Sequence, residues 1–389
     1  MHEPPDRGRM VTLLERLVGF NTENPPGREV EAVAFLADEL KDAGFTVETM
    51  EIESGRANVV ARFSNGPGPT FAFNSHVDVV PAGDGWSRDP FRLAESGGSL
   101  FGRGACDAKG PIVAMIEALR GLTAARDAWR GTLLAVFVAD EEVASLGAKT
   151  YVKSAPSIDY VIVGEPTSNE AVIAHKGSLR PLVRVHGQTA HSGTPDLGEN
   201  AILKSAALLG LIAETHDAVS ARTHPLVGPA SLTVTRAFGG HADNVVPDAC
   251  EFLLDRRMIP GEDEEAVKRE IQDVLDLART RFGVRADIVE FKPTTGGATE
   301  TDPEHPVVHA VQDACTRHHG GATPLRGFQG GCDLVHFRSI GAQGVVLGPG
   351  SLSVAHKPDE FVPIDEFVTA SLIYRDTALR LLQHEGALA

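Results

Sequence analysis

Seven acidic residues and histidines occupy positions from which they could act together in catalysis. Most of them follow short apolar runs, and the others lie in or after glycine-rich turns: His76, Asp78, Asp107, Glu141, Glu142, Glu165 and His356. In open α/β sheets, functional sites form beyond the carboxyl ends of the strands. The spacing therefore predicts that several side chains able to bind metal converge on one rim of a sheet.

Each of these residues also has an ordinary explanation. A single His-x-Asp is common by chance, and a Glu-Glu pair is usually a solvated surface. Asp107 alone could be the N-cap of the helix that follows it, because its short carboxylate can accept from free backbone N–H groups. These explanations would have to hold independently at five strand ends, so the combination favours a shared site.

Counted as one ligand each, the His-x-Asp, the Glu-Glu pair, Asp107, Glu165 and His356 offer two imidazoles and three carboxylates, and no thiol. Such a ligand set favours Zn²⁺, Co²⁺ or Mn²⁺ over Ca²⁺ or an iron–sulfur cluster. A single catalytic zinc uses three protein ligands, whereas five ligands match two ions that share one carboxylate at roughly 3.5–4 Å. Glu141 lies beside Glu142, and neighbours on a strand point to opposite sides. One of the two can therefore bind metal while the other acts as a general base.

Short apolar runs predict the elements that position these residues. They are bounded by Gly, Pro and Asp and are typical of strands buried on both faces of a mostly parallel sheet: Asn58–Arg62, Thr70–Asn74, Thr132–Ala139, Tyr160–Val163 and Val345–Leu347. Helical patterns precede and separate them, at Met10–Val18, Glu29–Ala43 and Pro111–Leu122. We therefore expect an α/β domain with helices on both faces of its sheet.

The middle of the chain has a different pattern. The elements from Gly177 to about Phe291 are predicted in the order strand, helix, strand, strand, helix, strand, at Arg180–His186, Glu199–Thr215, Ala230–Phe238, Cys250–Arg257, Glu264–Phe282 and Arg285–Phe291. This is the order of a ferredoxin-like α+β domain. The sequence thus predicts one domain formed by 1–176 and 292–389, interrupted by an inserted domain at 177–291.

The composition excludes several classes of function. The 389 residues are 42% hydrophobic and 23% charged, with a formal net charge of −17 and no basic block, which argues against nucleic-acid and anionic-membrane partners. No apolar stretch is long enough for a membrane span, and the N-terminus lacks the apolar core of a signal peptide. The four cysteines show no CxxC spacing, which favours a reducing, cytoplasmic compartment.

Five segments together resemble the motifs of the dinuclear-zinc amidohydrolases and peptidases, in this order: HVDVVP (76–81), GRGACDAKG (102–110), DEE (140–142), GEPTS (164–168) and AHKPDE (355–360). That family includes acetylornithine deacetylase, succinyl-diaminopimelate desuccinylase, aminoacylase and a glutamate-releasing carboxypeptidase. The resemblance implies five metal ligands, of which Asp107 bridges the two ions: His76, Asp107, Glu142, Glu165 and His356. It also implies that Glu141 is the general base, that Asp78 orients His76, and that the Asp107–Ala108 peptide bond is cis.

The predicted inserted domain carries further matches. GQTAHSGTPDLGENAI resembles the lid segment whose histidine, here His191, reaches the active site of a neighbouring subunit, which implies a homodimer. Asn244 and Arg257 match positions that hold the substrate's carboxylate and backbone. Two positions depart from the family pattern: Cys332 replaces an expected Ser or Thr before Asp333, and Ala144 replaces a frequent Gly. Neither position is a predicted ligand.

We therefore expect a two-metal hydrolase that binds zinc, with cobalt or manganese as alternatives. It is expected to cleave the amide bond of a small N-acyl amino acid, as acetylornithine deacetylases and desuccinylases do. The alternative within the family is a dipeptidase or carboxypeptidase acting on a short peptide. A non-catalytic metal-binding protein would be expected to lack the base or a ligand. A two-metal phosphoesterase would need basic clamps, and the motifs offer only Arg103 and Lys109.

Overall fold

The structure is a computed structural model that describes residues 4–383. Its α-helices are α1 (Arg7–Gly19), α2 (Val30–Asp42), α3 (Lys109–Ala124), α4 (Leu146–Tyr151), α5 (Ala201–Ser220), α6 (Glu264–Phe282), α7 (Pro306–His319), α8 (Leu334–Ser339) and α9 (Ile364–Leu382). Within the described residues the chain divides into two compact units. The first comprises 4–173, 300–327 and 332–383, and the second comprises 174–299 and 328–331.

The strands are β1 (Thr46–Glu53), β2 (Arg56–Asn65), β3 (Thr70–His76), β4 (Ala94–Ser96), β5 (Ser99–Phe101), β6 (Gly131–Val138), β7 (Tyr160–Val163), β8 (Val172–His175), β9 (Gly177–His186), β10 (Ala190–His191), β11 (Thr223–His224), β12 (Gly228–Pro229), β13 (Ser231–Gly239), β14 (Val245–Val246), β15 (Ala249–Met258), β16 (Arg285–Lys292), β17 (Thr299–Glu300), β18 (Arg326–Phe328), β19 (Gln343–Val346) and β20 (Phe361–Pro363). The large sheet has the order β1-β2-β6-β3-β7-β19-β8-β17, and β18 pairs with β8.

The centre of the large sheet is parallel, as the continuous apolar runs predict. Strand β3 pairs in parallel with both β6 and β7, and β7 pairs in parallel with β19. Helices α1, α3, α7 and α9 pack against one another, while α4 packs against α8, so helices form two separate groups around the sheet. The predicted α/β class is therefore confirmed.

Strand β2 differs from its predicted parallel setting, and β1 was not predicted. Strand β2 pairs antiparallel with both β1 and β6. The reason is local, because only Ser54 and Gly55 separate β1 from β2 and Gly55 has a φ of +84°. Such a short turn forces a hairpin, and a hairpin is antiparallel. The alternating exposure of β1 fits an edge strand with one solvated face.

The second unit has the predicted ferredoxin-like order. Strands β9, β13, β15 and β16 form an antiparallel sheet in the order β13-β15-β9-β16, and α5 and α6 pack on this unit's strands. A separate apolar core fills the unit and includes Val183, Leu208, Leu254 and Val274. Helix α6 begins where Asp263 accepts from the backbone N–H of Ala266. The assignment of the two units as catalytic and dimerisation domains stays a prediction.

Candidate functional site

Three of the five predicted metal ligands lie at or just beyond the carboxyl ends of parallel strands in the first unit. His76 is the last residue of β3, Glu142 lies in the turn after β6, and Glu165 is two residues beyond β7. Asp107 lies in the glycine-containing turn immediately before α3, and His356 lies in the loop between β19 and β20. Two of the ligands thus depend on long-range packing of loops rather than on the strand ends alone.

His76, Asp107 and Glu165 form one half of the cluster. The Nε2 atom of His76 lies 3.0 Å from Oδ1 of Asp107 and 3.8 Å from Oε1 of Glu165. The opposite ring atom, Nδ1, lies 2.9 Å from the backbone oxygen of Asp78. If Nδ1 donates to that oxygen, Nε2 keeps its lone pair, which is the arrangement of a metal-binding imidazole.

Asp107, Glu142 and His356 form the other half. The Nε2 atom of His356 lies 3.2 Å from Oδ2 of Asp107 and 3.0 Å from Oε2 of Glu142. Asp107 therefore turns one carboxylate oxygen to each histidine. This is the geometry that a carboxylate bridging two ions requires. The Asp107–Ala108 peptide bond is cis, as the resemblance implied.

The cluster carries more negative charge than its surroundings balance. Burial raises the pKa of the Glu141, Glu142 and Glu165 carboxyl groups, and nearby carboxylates raise each of them further. Oε1 of Glu142 and Oε1 of Glu165 are buried without a hydrogen-bond partner among residues 4–383. Unpartnered carboxylate oxygens facing imidazoles fit a divalent cation such as Zn²⁺. Donor atoms of His76, Asp107 and Glu142 lie within 4.8 Å of one another, which is close enough for a shared ion.

The histidines respond to the same carboxylates. Hydrogen bonds with Asp107 and then Glu142 raise the pKa of His356 to about 10. Burial acts to lower the pKa of His76, but the hydrogen bond with Asp107 and the nearby Asp78 carboxylate outweigh it and raise the pKa well above its usual value. The carboxylates thus favour a positive charge among them. Either a proton on a histidine or a bound metal ion can supply that charge.

Glu141 lies beside the half-site of His76 and Glu165. Donor atoms of these three residues lie within 4.8 Å of one another, and the Glu141 side chain is buried. Oδ1 of Asp78 accepts from the backbone N–H of Glu141 at 3.1 Å, and Oδ2 accepts from that of Glu142 at 3.2 Å. The Asp78 carboxylate lies 3.6 Å from Nδ1 of His76, which is longer than a hydrogen bond. Asp78 therefore fixes the Glu141–Glu142 backbone as well as facing His76.

A buried polar network missed by the sequence analysis supports this turn. Asn24 donates from Nδ2 to Asp78 at 2.8 Å and to Asp140 at 2.9 Å. Arg56 donates to Asp140 at 2.8 Å and to Glu29 at 2.6 Å. Asp140 has a φ of +72°, a conformation uncommon for a residue with a side chain. The network connects the loop before α2 and strand β2 to the turn that carries Glu141.

Asp333 is a further residue for which the sequence predicted no role. It lies in the Gly330–Leu334 segment, where Cys332 departs from the expected family pattern. Asp333 is buried, and burial raises its pKa to about 6. Its charge in turn contributes to raising the pKa of Glu141 and Glu165. The match to the family pattern at Asp333 could have indicated its importance, even though Cys332 before it departs from that pattern.

The second unit brings the predicted catalytic His191 and the predicted substrate-binding Asn244 onto neighbouring segments. Strands β10 and β14 pair so that His191 lies opposite Val245, and the backbone N–H of Ser192 donates to the backbone oxygen of Asn244 at 2.9 Å. Both His191 and Asn244 are exposed. Nδ1 of His191 accepts from the backbone N–H of Gly193 at 3.0 Å, which holds the ring and leaves Nε2 as the donor.

Arg257 lies on β15 and is already paired with an acid. Its Nε lies 2.7 Å from Oδ1 of Asp255, while Nε of Arg180 lies 2.9 Å from Oδ2 of the same carboxylate. About a third of the Arg257 side chain is exposed. Two guanidinium groups thus share one carboxylate, and Arg257 retains donors for another acceptor. Burial lowers the pKa of Lys176, and the positive charge of Arg257 lowers it further.

Comparison with known proteins identifies the family to which this chain belongs. Residues 72–380 match the family described as Peptidase family M20/M25/M40, which is most of the chain. The chain therefore belongs to this family, and it is a metal-dependent hydrolase of that class. The predicted family is confirmed.

Solved structures share the fold at low sequence identity. A tripeptidase from Staphylococcus aureus is 20% identical over 98% of this chain and 100% of its own, with a TM-score of 0.78. An M20 metallo-carboxypeptidase from Sulfolobus solfataricus is 18% identical over 96% and 99%, with a TM-score of 0.78. A dinuclear metal-binding M20 peptidase from Bacillus subtilis is 17% identical over 97% and 98%, with a TM-score of 0.74.

Two other findings concern the cysteines and the helices. All four cysteines are buried free thiols. Among residues 4–383 no helix combines the length and the apolar character that crossing a bilayer requires.

Proposed function

We propose that this chain hydrolyses the amide bond of a small N-acyl amino acid, with two divalent ions, preferably Zn²⁺, held by His76, Asp107, Glu142, Glu165 and His356. The observation that carries the proposal is the division of the cluster into two halves that share Asp107, with Glu141 left over beside one half. A protein that only bound metal would need no such spare buried carboxylate.

The residues of the cluster have distinct parts in this reaction. Divalent ions, when bound, supply Lewis acidity that polarises a carbonyl and makes a nearby water more acidic. Glu141 takes a proton from the attacking water and later gives it to the departing amine. Asp78 holds the backbone of Glu141 in place during both transfers.

The second unit supplies substrate contacts in this proposal. His191 donates to the oxygen that becomes negative as the carbonyl is attacked. Arg257 binds the carboxylate of the amino acid with charge-assisted hydrogen bonds, and Asn244 binds its backbone. Arg257 retains partly exposed donors beyond those used by Asp255, so a carboxylate of substrate can approach it.

We further propose that the chain works as a homodimer in which His191 serves the partner's site. Support comes from exposed apolar side chains in the same unit: Leu197 is 72% and Leu203 73% exposed, and Phe238 is also exposed. Large exposed leucines are costly in water and are typical of surfaces that another subunit covers.

The cysteines support a further part of the proposal, a reducing, cytoplasmic setting, because buried thiols without disulfides fit such a compartment.

The second candidate is a dipeptidase or carboxypeptidase acting on a short peptide. It is favoured by structural neighbours described as a tripeptidase and as a metallo-carboxypeptidase. The same carboxylate contact at Arg257 would serve the C-terminus of a peptide, so the cluster and Arg257 fit both candidates. The acyl side of the bond is what distinguishes them.

A matched substrate panel separates the two candidates. N-acetyl amino acids, N-succinyl amino acids and dipeptides with the same C-terminal residue are incubated with the protein in added Zn²⁺ or Co²⁺, and the released amine is quantified. We expect the highest kcat/KM for an N-acyl amino acid. Cleavage confined to dipeptides would replace the first candidate with the second. The Glu141→Gln variant, prepared identically, controls for a contaminating hydrolase.

A further inference from the structure

Glu360 lies in the last of the five motifs, four residues after His356, and the chemistry described so far gives it no part. Its side chain is fully buried. Oε1 accepts from two consecutive backbone N–H groups, those of Cys106 at 2.9 Å and Asp107 at 3.0 Å. Oε2 accepts from Nη1 of Arg103 at 2.5 Å. Both carboxylate oxygens are therefore engaged, and neither faces the cluster as a ligand.

Arg103 is itself held by three further features of the same region. It is buried, its Nη2 donates to the backbone oxygen of Ala82 at 3.3 Å, and its guanidinium lies over the Trp86 ring at 5.1 Å. The backbone N–H of Gly102 donates to the backbone oxygen of Glu360 at 3.0 Å. The 102–107 turn and the 356–360 loop are thus joined at both the main chain and the side chain.

We propose that Glu360 is a positioning residue that fixes the backbone of Asp107 and thereby sets the spacing of the two half-sites. The proposal rests on the function proposed above, in which Asp107 and His356 are metal ligands. Asp107 must present one oxygen to each half, and a small rotation of its backbone would lengthen one contact as it shortened the other. Glu360 binds that backbone from the loop that carries His356, so one carboxylate sets both ligands together.

Substitution by Gln tests this link because Gln cannot satisfy both sets of donors. If its oxygen accepts from Cys106 and Asp107, its NH₂ group faces the Arg103 donor. If the amide is flipped, the NH₂ group faces the two backbone N–H groups instead. Either orientation buries donors against donors, so one half of the link is lost while the side-chain shape is kept.

The experiment measures metal retention rather than turnover. Protein loaded with Zn²⁺ is titrated with a chelator of known affinity, and released zinc is quantified for the wild type and each variant. Loss of a residue that orients ligands typically costs about 10–100-fold in metal affinity. We expect a loss of this size for Glu360→Gln, and we expect both ions to weaken because Asp107 contacts both halves.

Glu117 provides a matched control elsewhere in the same unit. It is also a buried carboxylate that accepts from an arginine, Arg9 at 2.7 Å, and from a backbone N–H, that of Asp6 at 2.8 Å. Glu117→Gln should lower the melting temperature without changing zinc retention. Equal zinc retention in Glu360→Gln and Glu117→Gln would overturn the proposal. Selective loss of one ion from Glu360→Gln, with the other at wild-type affinity, would also overturn it.

Arg103→Lys keeps the test decisive if Glu360→Gln does not fold. Lysine keeps the charge opposite Glu360 but not the planar fork that reaches both Glu360 and Ala82. We expect folded Arg103→Lys protein to lose zinc at lower chelator concentrations than the wild type, and wild-type retention would contradict the proposal. Failure of the wild type to hold two ions would instead contradict the proposed function, so the two failures are distinguishable.

Discussion

The two units hold their candidate functional side chains in opposite ways. In the first unit, His76, Asp107 and Glu165 are buried and lie within contact of one another, and polar residues behind them fix the backbone. In the second unit, His191 and Asn244 are exposed on a short two-stranded ladder. A buried cluster of carboxylates is stable only if cations balance it, whereas exposed polar groups are solvated and need no partner to persist.

The difference indicates a division of labour between metal binding and substrate binding. Changes in the cluster should affect metal content or the chemical step. Changes in the second unit should affect substrate affinity and leave the metal in place. A second-unit variant that lost metal, or a cluster variant that changed only substrate affinity, would contradict this division.

Removal of metal should have the largest effect. Dialysis against a chelator should abolish hydrolysis, because the cluster's carboxylates have no other Lewis acid to polarise the substrate. After reconstitution with excess zinc and desalting, metal analysis should approach about two ions per chain, because two halves share Asp107. A reproducible ratio of one would contradict the two-ion arrangement and leave a mononuclear hydrolase.

The neighbouring glutamates should separate chemistry from metal binding. Glu141→Gln keeps the shape but removes the proton acceptor, so turnover should fall by roughly 10²–10⁴ or more while zinc content stays near the wild-type value. Glu142→Gln removes charge from the half-site of His356 and should weaken one ion. The measurements are kcat and zinc content on the same preparations. Near-normal turnover by Glu141→Gln would show that another group is the base.

The contrast between the units also explains how far the sequence reaches. The cluster was predictable because β3, β6 and β7 carry continuous apolar runs, and such strands end at a common rim. The positions of His76, Glu142 and Glu165 follow from where these strands stop, whereas Asp107 and His356 depend on how their loops pack. The order of helices and strands in the inserted domain was also predictable, because amphipathic periodicity can be recognised within each short segment of sequence.

Contacts between distant segments were not predictable from local pattern. Arg56 meets Asp140 across 84 residues, and Asn24 meets it across 116. Nothing in the sequence near Arg56 distinguishes it from an exposed arginine, because its role depends on which loop folds over it. Asp333 is similar: it immediately precedes a six-residue helix, and its electrostatic effect on Glu141 depends on how that helix packs. Strand β1, and with it the antiparallel hairpin, was missed because apolar and polar residues alternate only irregularly in its sequence, TVETMEIE.

His191 allows the proposed dimer to be tested. His191→Ala removes a donor to the developing oxyanion and should lower kcat about 10²–10³-fold with zinc retained. Mixing His191→Ala chains with Glu141→Ala chains under subunit exchange should then restore about a quarter of wild-type activity, because half of the dimers would each contain one intact site.

Subunit exchange must be shown independently, for example by native mass spectrometry of differently tagged chains. If exchange occurs and activity does not recover, His191 acts within its own chain or has no part in catalysis. Recovery in the mixture, with neither variant active alone, would establish that each site combines residues of two chains.

Arg257 should give the smallest of these effects and the sharpest test of the second unit's role. Arg257→Ala should raise KM roughly 10–100-fold, because charge-assisted hydrogen bonds to a carboxylate are lost, while kcat changes less and zinc content stays constant. The effect is limited because Asp255 already engages one side of the guanidinium and shares its charge with Arg180. Arg184 is the matched control: it lies on the adjacent strand β9 and pairs with Glu251, so Arg184→Ala should leave KM nearly unchanged.

The amide analogue of the best substrate completes the test of Arg257. The wild type should handle it as poorly as Arg257→Ala handles the acid, and the variant should no longer distinguish acid from amide. If the wild type cleaved acid and amide equally well, carboxylate recognition by Arg257 would be excluded, and the second unit's part in substrate binding would have to rest on His191 and Asn244 alone.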